Sequence, residues 1–376
     1  MLEIRNQIDF DNLILNTPID EMVMIYPKQY NSPYVLNTKW SLPTNAVIVG
    51  ANFPKIQYEG DGLGLDGIIE IVGSASAVKE NVTIKGLHII NASTSTDVTG
   101  IFLDYCGKAF ATGNPSPAIN TTGYLAATVG QTYLNLTGVT IKDCIIENNG
   151  SHGISVNNSA NCMIKSNNFK KNHYYGVYFN TSNNNTLSDN IVVNNGGTGI
   201  MMMGSNNNVV SNNSIKNSGG YGIYLGGSHQ NSLNGNAIEK AESNCIEILS
   251  SDKNSIYGNK FQNGANGVCI SVGNKNTVTG NSINNNNGNG VHIIFNSSRN
   301  VIMGNSIHEN NNNGVHIASG NNNSVTGNII NKNLSSPIKL ETDKNIVYSN
   351  SMSENGAFFI NSGVGNENSE DHNKFL

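Results

Sequence analysis

Ten residues recur at one place in a repeating sequence pattern, and several of them are types that do chemistry. They are Phe102, Ser155, Tyr178, Met201, Tyr224, Glu247, Cys269, His292, His316 and Lys339. Each stands between two apolar residues, as in Gly222-Ile-Tyr-Leu and Gly314-Val-His-Ile. In a strand, alternate residues face opposite sides, so if the apolar pair points inward this residue points out. Tyr178 and Tyr224 then offer flat apolar ring faces to sugars. His292 or His316 could abstract a proton next to a sugar carboxylate, with Tyr224 or the other histidine as acid. Lys339 would neutralise that carboxylate and the enolate that forms, while Glu247 would orient a histidine or accept from hydroxyls. The same column also reads as the ordinary solvated face of a long repeat protein.

Metal chemistry fits less well. Glu247, Cys269, His292 and His316 fall on consecutive repeats, but four such positions span roughly 14 Å at strand spacing, too far for one ion. No metal ligands are assigned. Calcium remains a cofactor candidate near a long interruption of the repeat, where Asp97, Asp104, Asp143 and Glu147 could supply oxygens. The five cysteines form no CxxC pair, so they read as small buried thiols rather than a disulfide framework.

These residues need a scaffold, and the scaffold is legible. The positions Gly153, Gly176, Gly199, Gly222, Cys245, Gly267, Gly290, Gly314 and Pro337 are separated by 23, 23, 23, 23, 22, 23, 24 and 23 residues. Two asparagine series keep step, one through Asn167, Asn190 and Asn213, the other through Asn185, Asn208 and Asn231. Between them lie short alternating runs with the period of strands. Each repeat gives three short strands and three bends, one turn of a coil. Asparagine suits the bends because it tolerates left-handed backbone and its amide can bond up and down a stack. Cys144 and Cys162 occupy such ladder positions at the first regular repeat.

Composition sets further limits. Asparagine makes up roughly a fifth of the chain and charged residues 12%, with a net charge of −5. Arginine occurs only at Arg5 and Arg299 and no basic run exists, so nucleic acid is not an expected partner. No run reaches the roughly 18 apolar residues of a membrane span, and Met1-Leu-Glu-Ile-Arg-Asn does not read as a signal peptide.

The repeats resemble those of the pectate-lyase-like superfamily of right-handed parallel β-helices, most of all the NosD-type members, over roughly residues 45–355. The resemblance implies fold more than activity, because relatives include polysaccharide lyases, epimerases, viral tailspikes and adhesins. The sharper signatures are missing: of the polygalacturonase motifs only Ser151-His152-Gly153 has a counterpart, and the Asp-Pro-His of mannuronan epimerases is absent.

The expectation is an all-β, right-handed parallel β-helix of about 12 rungs. It has an N-terminal cap at residues 1–40, the helix at 41–360 with an insertion at 105–135, and a polar tail at 361–376. The expected function is carbohydrate-directed. One form is a lyase or C5-epimerase of acidic glycans, with Tyr224, Glu247, His292 and His316 catalytic and Tyr178, Lys339 and Asp104 binding substrate. The other is a non-catalytic adhesive or viral-fibre solenoid that binds surface glycans, with trimer contacts. The resemblance implies an extracellular, cell-surface or virion setting.

Overall fold

The computed structural model describes residues 1–18, 21–60, 67–73, 81–91, 98–104, 138–363, 367–368 and 374–375. The expected insertion at 105–135, Asp97 and most of the polar tail lie outside the described residues. Three parallel sheets form a β-solenoid of about 13 turns, and among the described residues helix is confined to Gln7–Leu15 and a short turn at Gln29–Asn31. Each turn contributes one strand to each sheet in order. In one turn these are Thr140–Lys142 in the first sheet, Ile145–Glu147 in the second and Ile154–Asn157 in the third. The chain divides into two compact units, Met1–Ile191 and Val192–Leu376.

In the first unit residues 22–41 already make one turn. Met22–Ile25, Tyr34–Leu36 and Trp40–Ser41 pair in parallel with the strands of the turn that follows. The helix Gln7–Leu15 starts at Asn6, whose side chain accepts from the Asp9 N–H, and buries Phe10 and Leu13. The Phe10 ring packs 4.9 Å from Tyr34 and 5.5 Å from Trp40, and the Trp40 indole N–H donates to Thr17.

Inside the coil the middle residue of nearly every strand is apolar and fully buried, as with Ile141, Ile164, Ile256 and Ile302. The asparagines hold the corners. In the second unit the Asn231 N–H donates to Asn254 Oδ1 at 2.8 Å. Its side-chain Nδ2 donates to the same oxygen at 3.1 Å and to the Ser205 carbonyl at 3.0 Å. Each amide is thus satisfied by the turns on either side, which is what allows it to be buried. A third ladder, through Asn286, Asn310, Asn333 and Asn355, runs beside the two visible in the sequence. Cys144 and Cys162 stand in the ladders as expected: both are buried, with their N–H groups donating to Asn167 and Asn185.

One expectation is corrected. The left-handed backbone angles fall on the residue before each ladder asparagine, as at Asn184, Asn207 and Asn212, and not on the ladder residue. The ladder asparagine itself stays out of the left-handed region and buries its amide between turns. The residue ahead of it takes the sharp corner.

The recurring glycine has its own cause. At Gly267, Gly290 and Gly314 a Cβ would come within 2.5–2.6 Å of the carbonyl oxygen of the next turn, so close approach forbids a side chain. Pro337 departs from this pattern, and so does Cys245. Opposite it the third ladder has Gly264 where later turns carry asparagine, and a Cβ there would meet the Cys245 sulfur at 2.7 Å. The cysteine occupies the space that a missing ladder amide leaves open.

Candidate functional site

The expected column is real. In the second unit Met201, Tyr224, Glu247, Cys269, His292, His316 and Lys339 pair in direct register on adjacent strands of the third sheet. The flanking residues, Ile246 and Ile248 for example, point into the core. The side chains between those flanks emerge on the outer face.

They form two groups. At one end the Tyr221 and Tyr224 rings lie 5.1 Å apart, tilted by 48°. Tyr224 sits close over Gly226, where a Cβ would meet its ring at 2.7 Å. Burial raises the Tyr221 hydroxyl pKa, with Glu247 and Cys269 adding to the rise. Glu247 is only 6% exposed, and both its oxygens accept, one from Asn244 Nδ2 at 2.6 Å and one from Ser271 Oγ at 2.9 Å. Cys269, short between larger neighbours, is 4% exposed, and burial pushes its thiol up to about 12. These two belong to the column without presenting much surface.

At the other end the imidazoles of His292 and His316 are stacked, 4.9 Å between centroids. Burial, and then His316, push His292 down to about 4. Burial also lowers His316, against the opposing pull of Glu341, whose Oε2 is 3.2 Å from Nε2. Both rings are therefore neutral near pH 7 and able to accept a proton. Lys339 Nζ is held 2.6 Å from the other Glu341 oxygen, and that contact keeps the Glu341 carboxyl below its ordinary range. Lys339 is thus already paired.

In the first unit Tyr178 pairs in register with Ser155 and joins an aromatic cluster. His152 stacks on Tyr175 at 4.7 Å and 5°, and lies 5.1 Å from the Tyr178 ring. The His152 Nδ1 accepts from the Tyr175 N–H, and burial pushes its pKa down to about 4. The Asp104 backbone pairs opposite Asn157, but its side chain lies outside the described residues. Among the calcium candidates, Glu147 is engaged by His88 at 2.6 Å and Lys170 at 2.8 Å, and Asp143 approaches Lys85 at 3.9 Å. Among the described residues no group of three or more His, Cys, Asp or Glu could hold a metal ion.

Several members escaped the sequence reading. Ser271 and Glu341 stand two residues beyond Cys269 and Lys339, so the same period of two puts them on the same face. Tyr221 and Asn244 come from the preceding bend, where no period applies.

Comparison with known proteins agrees with this architecture. No curated protein matches the sequence. Among solved structures, the A-module of mannuronan C-5 epimerase AlgE4 from Azotobacter vinelandii is similar at 14% identity and a TM-score of 0.59, over 96% of this chain and 94% of that one. Tailspike protein 3 of bacteriophage CBA120 is similar at 11% identity and a TM-score of 0.62, over 99% of this chain and 58% of that one. Pre-mature gene product 12 of bacteriophage phi29 follows at 14% and 0.60, over 97% and 53%. At such identities the likeness is one of fold alone. The description "right handed beta helix region" matches residues 152–301 and 251–375, more than half of the sequence, and the chain belongs to that family.

Proposed function

We propose that this chain is a glycan-directed β-helix protein that holds a polysaccharide against the outward row of the third sheet between Tyr224 and Lys339. The observation that carries the reading is the stacked, neutral His292–His316 pair with Glu341 against it, one end of a row that begins with two tyrosine rings. Tyrosine faces suit the apolar faces of sugar rings. A neutral imidazole held by a carboxylate suits proton abstraction.

Acting on an acidic glycan, His316 would take the C5 proton of a uronate, leaving an enolate on its carboxylate. Return of a proton to the opposite face, from His292 on the adjacent turn, gives the C5 epimer, while Tyr224, four turns from His316, would contact a sugar further along the chain. Loss of the 4-linked sugar instead gives an unsaturated uronate, with the proton passing to the departing oxygen. Glu247 would position hydroxyls, and Lys339 would face the carboxylate. Tyr178, with His152 and Tyr175, offers a further ring surface in its own unit, and Asp104 remains a candidate contact.

A second reading is favoured by one observation. Lys339 is paired with Glu341, and both Glu247 oxygens are taken, so the row has few groups uncommitted for chemistry. A non-catalytic, glycan-binding fibre or surface protein, trimeric in assembly, would need no more. Both readings place the protein outside the cell, at its surface or on a virion. Similar folds occur in an epimerase module and a phage tailspike. Among the described residues no helix is long and apolar enough to cross a membrane.

The deciding experiment incubates the protein with a panel of uronate polysaccharides. Unsaturated product is followed by absorbance and epimer by proton NMR, for wild type, His292→Ala and His316→Ala. Turnover lost in His316→Ala supports the catalytic form. Binding without turnover supports the second. Neither binding nor turnover removes both.

A further inference from the structure

Within Val192–Leu376, the corner between the third and first sheets carries a column of cations. Lys253, Lys275 and Arg299 stand on three consecutive turns, and Lys344 follows two turns later, with Asn322 between. Their equivalence is shown by the backbone. The Lys253 N–H donates to the Asn274 carbonyl, that of Lys275 to Ser298, and that of Arg299 to Asn321, each one turn on. All four side chains are exposed.

This arrangement is unfavourable by itself. Each of the four residues adopts left-handed backbone, with φ between 55° and 60°. In other turns the same corner is made by asparagine, at Asn184, Asn207 and Asn322, the residue that tolerates this conformation best. Like charges placed directly opposite on neighbouring strands also repel. Among the described residues no carboxylate lies within ion-pair distance of any of the four. The two nearest in sequence are Asp252, which accepts from the Asn274 N–H and side chain, and Asp343 beside Lys344.

Other corners of this unit behave differently. The corner between the first and second sheets uses glycine, at Gly258, Gly280 and Gly304. The corner between the second and third mixes signs, and there Lys332 approaches Glu354 at 3.8 Å. Only at the left-handed position of the corner after the third sheet are the charged residues all of one sign among these. Four like charges aligned at one position, with no carboxylate in ion-pair reach among the described residues, point to an external partner.

We propose that Lys253, Lys275, Arg299 and Lys344 form a binding ridge for a linear polyanion laid along the turns, an extended acidic polysaccharide. Spacing suits this ligand. Neighbouring turns repeat at roughly 4.8 Å, comparable to the length of one sugar in an extended 1,4-linked chain. Successive carboxylates of such a chain alternate sides, so those facing the ridge would meet cations two turns apart, as Lys253, Arg299 and Lys344 are. The Arg299 guanidinium can take a carboxylate in bidentate fashion, whereas the lysines act as point charges. Just beyond the ridge Ser255 and Thr277, paired in register on the first sheet, are half-buried on its outward side and can bond sugar hydroxyls. The ridge is separate from the third-sheet row and does not depend on the reading of that row.

The test titrates the full chain by calorimetry at low salt with an oligouronate, a neutral oligoglucan of equal length and a single-stranded oligodeoxynucleotide of equal charge. The variants are Lys275→Asn with Arg299→Asn, asparagine being what the same corner uses elsewhere, and separately His292→Ala with His316→Ala. The oligouronate is expected to bind and to weaken with salt. The ridge pair should lose about tenfold or more in affinity while keeping its melting temperature, and the histidine pair should retain this binding. Unchanged affinity in the ridge variant overturns the proposal, as does no binding of the oligouronate. Tighter binding of the oligonucleotide also overturns it and assigns the ridge to nucleic acid. Loss confined to the histidine variant places acidic-glycan binding on the third-sheet row instead.

Discussion

The imidazole rings of His292 and His316 lie within 12° of parallel on adjacent turns, and Glu341 reaches only the second of them. The pair shares one face but not one environment. Burial and the neighbouring His316 lower His292 with Glu341 opposing them from a distance, whereas His316 has that carboxylate in direct contact.

Acid should therefore destabilise the fold. His292 and His152 both have folded pKa values of about 4, below the ordinary 6.5 of the unfolded chain. Between those values the unfolded chain binds protons that the folded chain refuses, so the contribution of these two groups falls as pH drops from about 6.5 to about 4 and then levels. Glu147 and Glu341, with lowered pKa, lose their stabilisation further down. Melting temperatures at pH 7, 5.5 and 4.5 should decline in that order. His152→Asn and His292→Asn should each shallow the decline, and an unchanged slope would contradict the assignment.

Glu341→Gln removes the group that holds the His316 pKa up. The His316 pKa, read from its ring proton shifts in an NMR titration, should move further down, while that of His152 stays where it is. If His316 catalyses, the acid limb of the pH–rate profile should move the same way.

Cys245 and Gly264 should be coupled. Gly264→Asn inserts a ladder amide where the Cys245 sulfur sits and should cost about 1–3 kcal/mol by overpacking. Cys245→Gly restores the pattern of the other turns, and in that background Gly264→Asn should be close to neutral. Urea unfolding of the four proteins measures an interaction of about 1 kcal/mol or more. Additive effects would contradict the geometry.

The asparagine ladders should not tolerate the isosteric acid. Asn259 Nδ2 donates to Asn281 Oδ1 and to the carbonyls of Leu233 and Tyr257. Asn259→Ala leaves several buried groups unpaired and should cost about 3–5 kcal/mol. Asn259→Asp turns an oxygen toward three acceptors and should cost at least as much at neutral pH. It should recover in part when the acid is protonated, a trend that denaturant midpoints across pH would show.

Much of this was legible because the coil repeats. The spacing of Gly222, Cys245 and Gly267 fixed which side chains share a row, and the pairing of Tyr224 with Glu247 and of His292 with His316 follows. What spacing does not carry is how neighbours in a row use one another. Lys339 looks free in the sequence and is taken by Glu341, and Glu247 looks exposed but lies under its neighbours. Which residue takes the left-handed corner is not legible in the spacing, because asparagine suits both roles. The basic ridge was overlooked because its cations lie 22 and 24 residues apart, too far to read as a charge run.

The ladders also have a direction. In the three corner ladders the buried N–H of one asparagine donates to the carboxamide of the residue about 23 places later, as Asn213 does to Asn236 and Asn236 to Asn259, whereas the row Asn244, Asn266, Asn289 and Asn313 before the third sheet runs the other way. A chain leaving the ribosome amino end first therefore carries, at its growing edge, a turn whose polar groups await residues not yet made. The corner amides of each such turn are completed only by its successor, so a stalled chain stops with an open end.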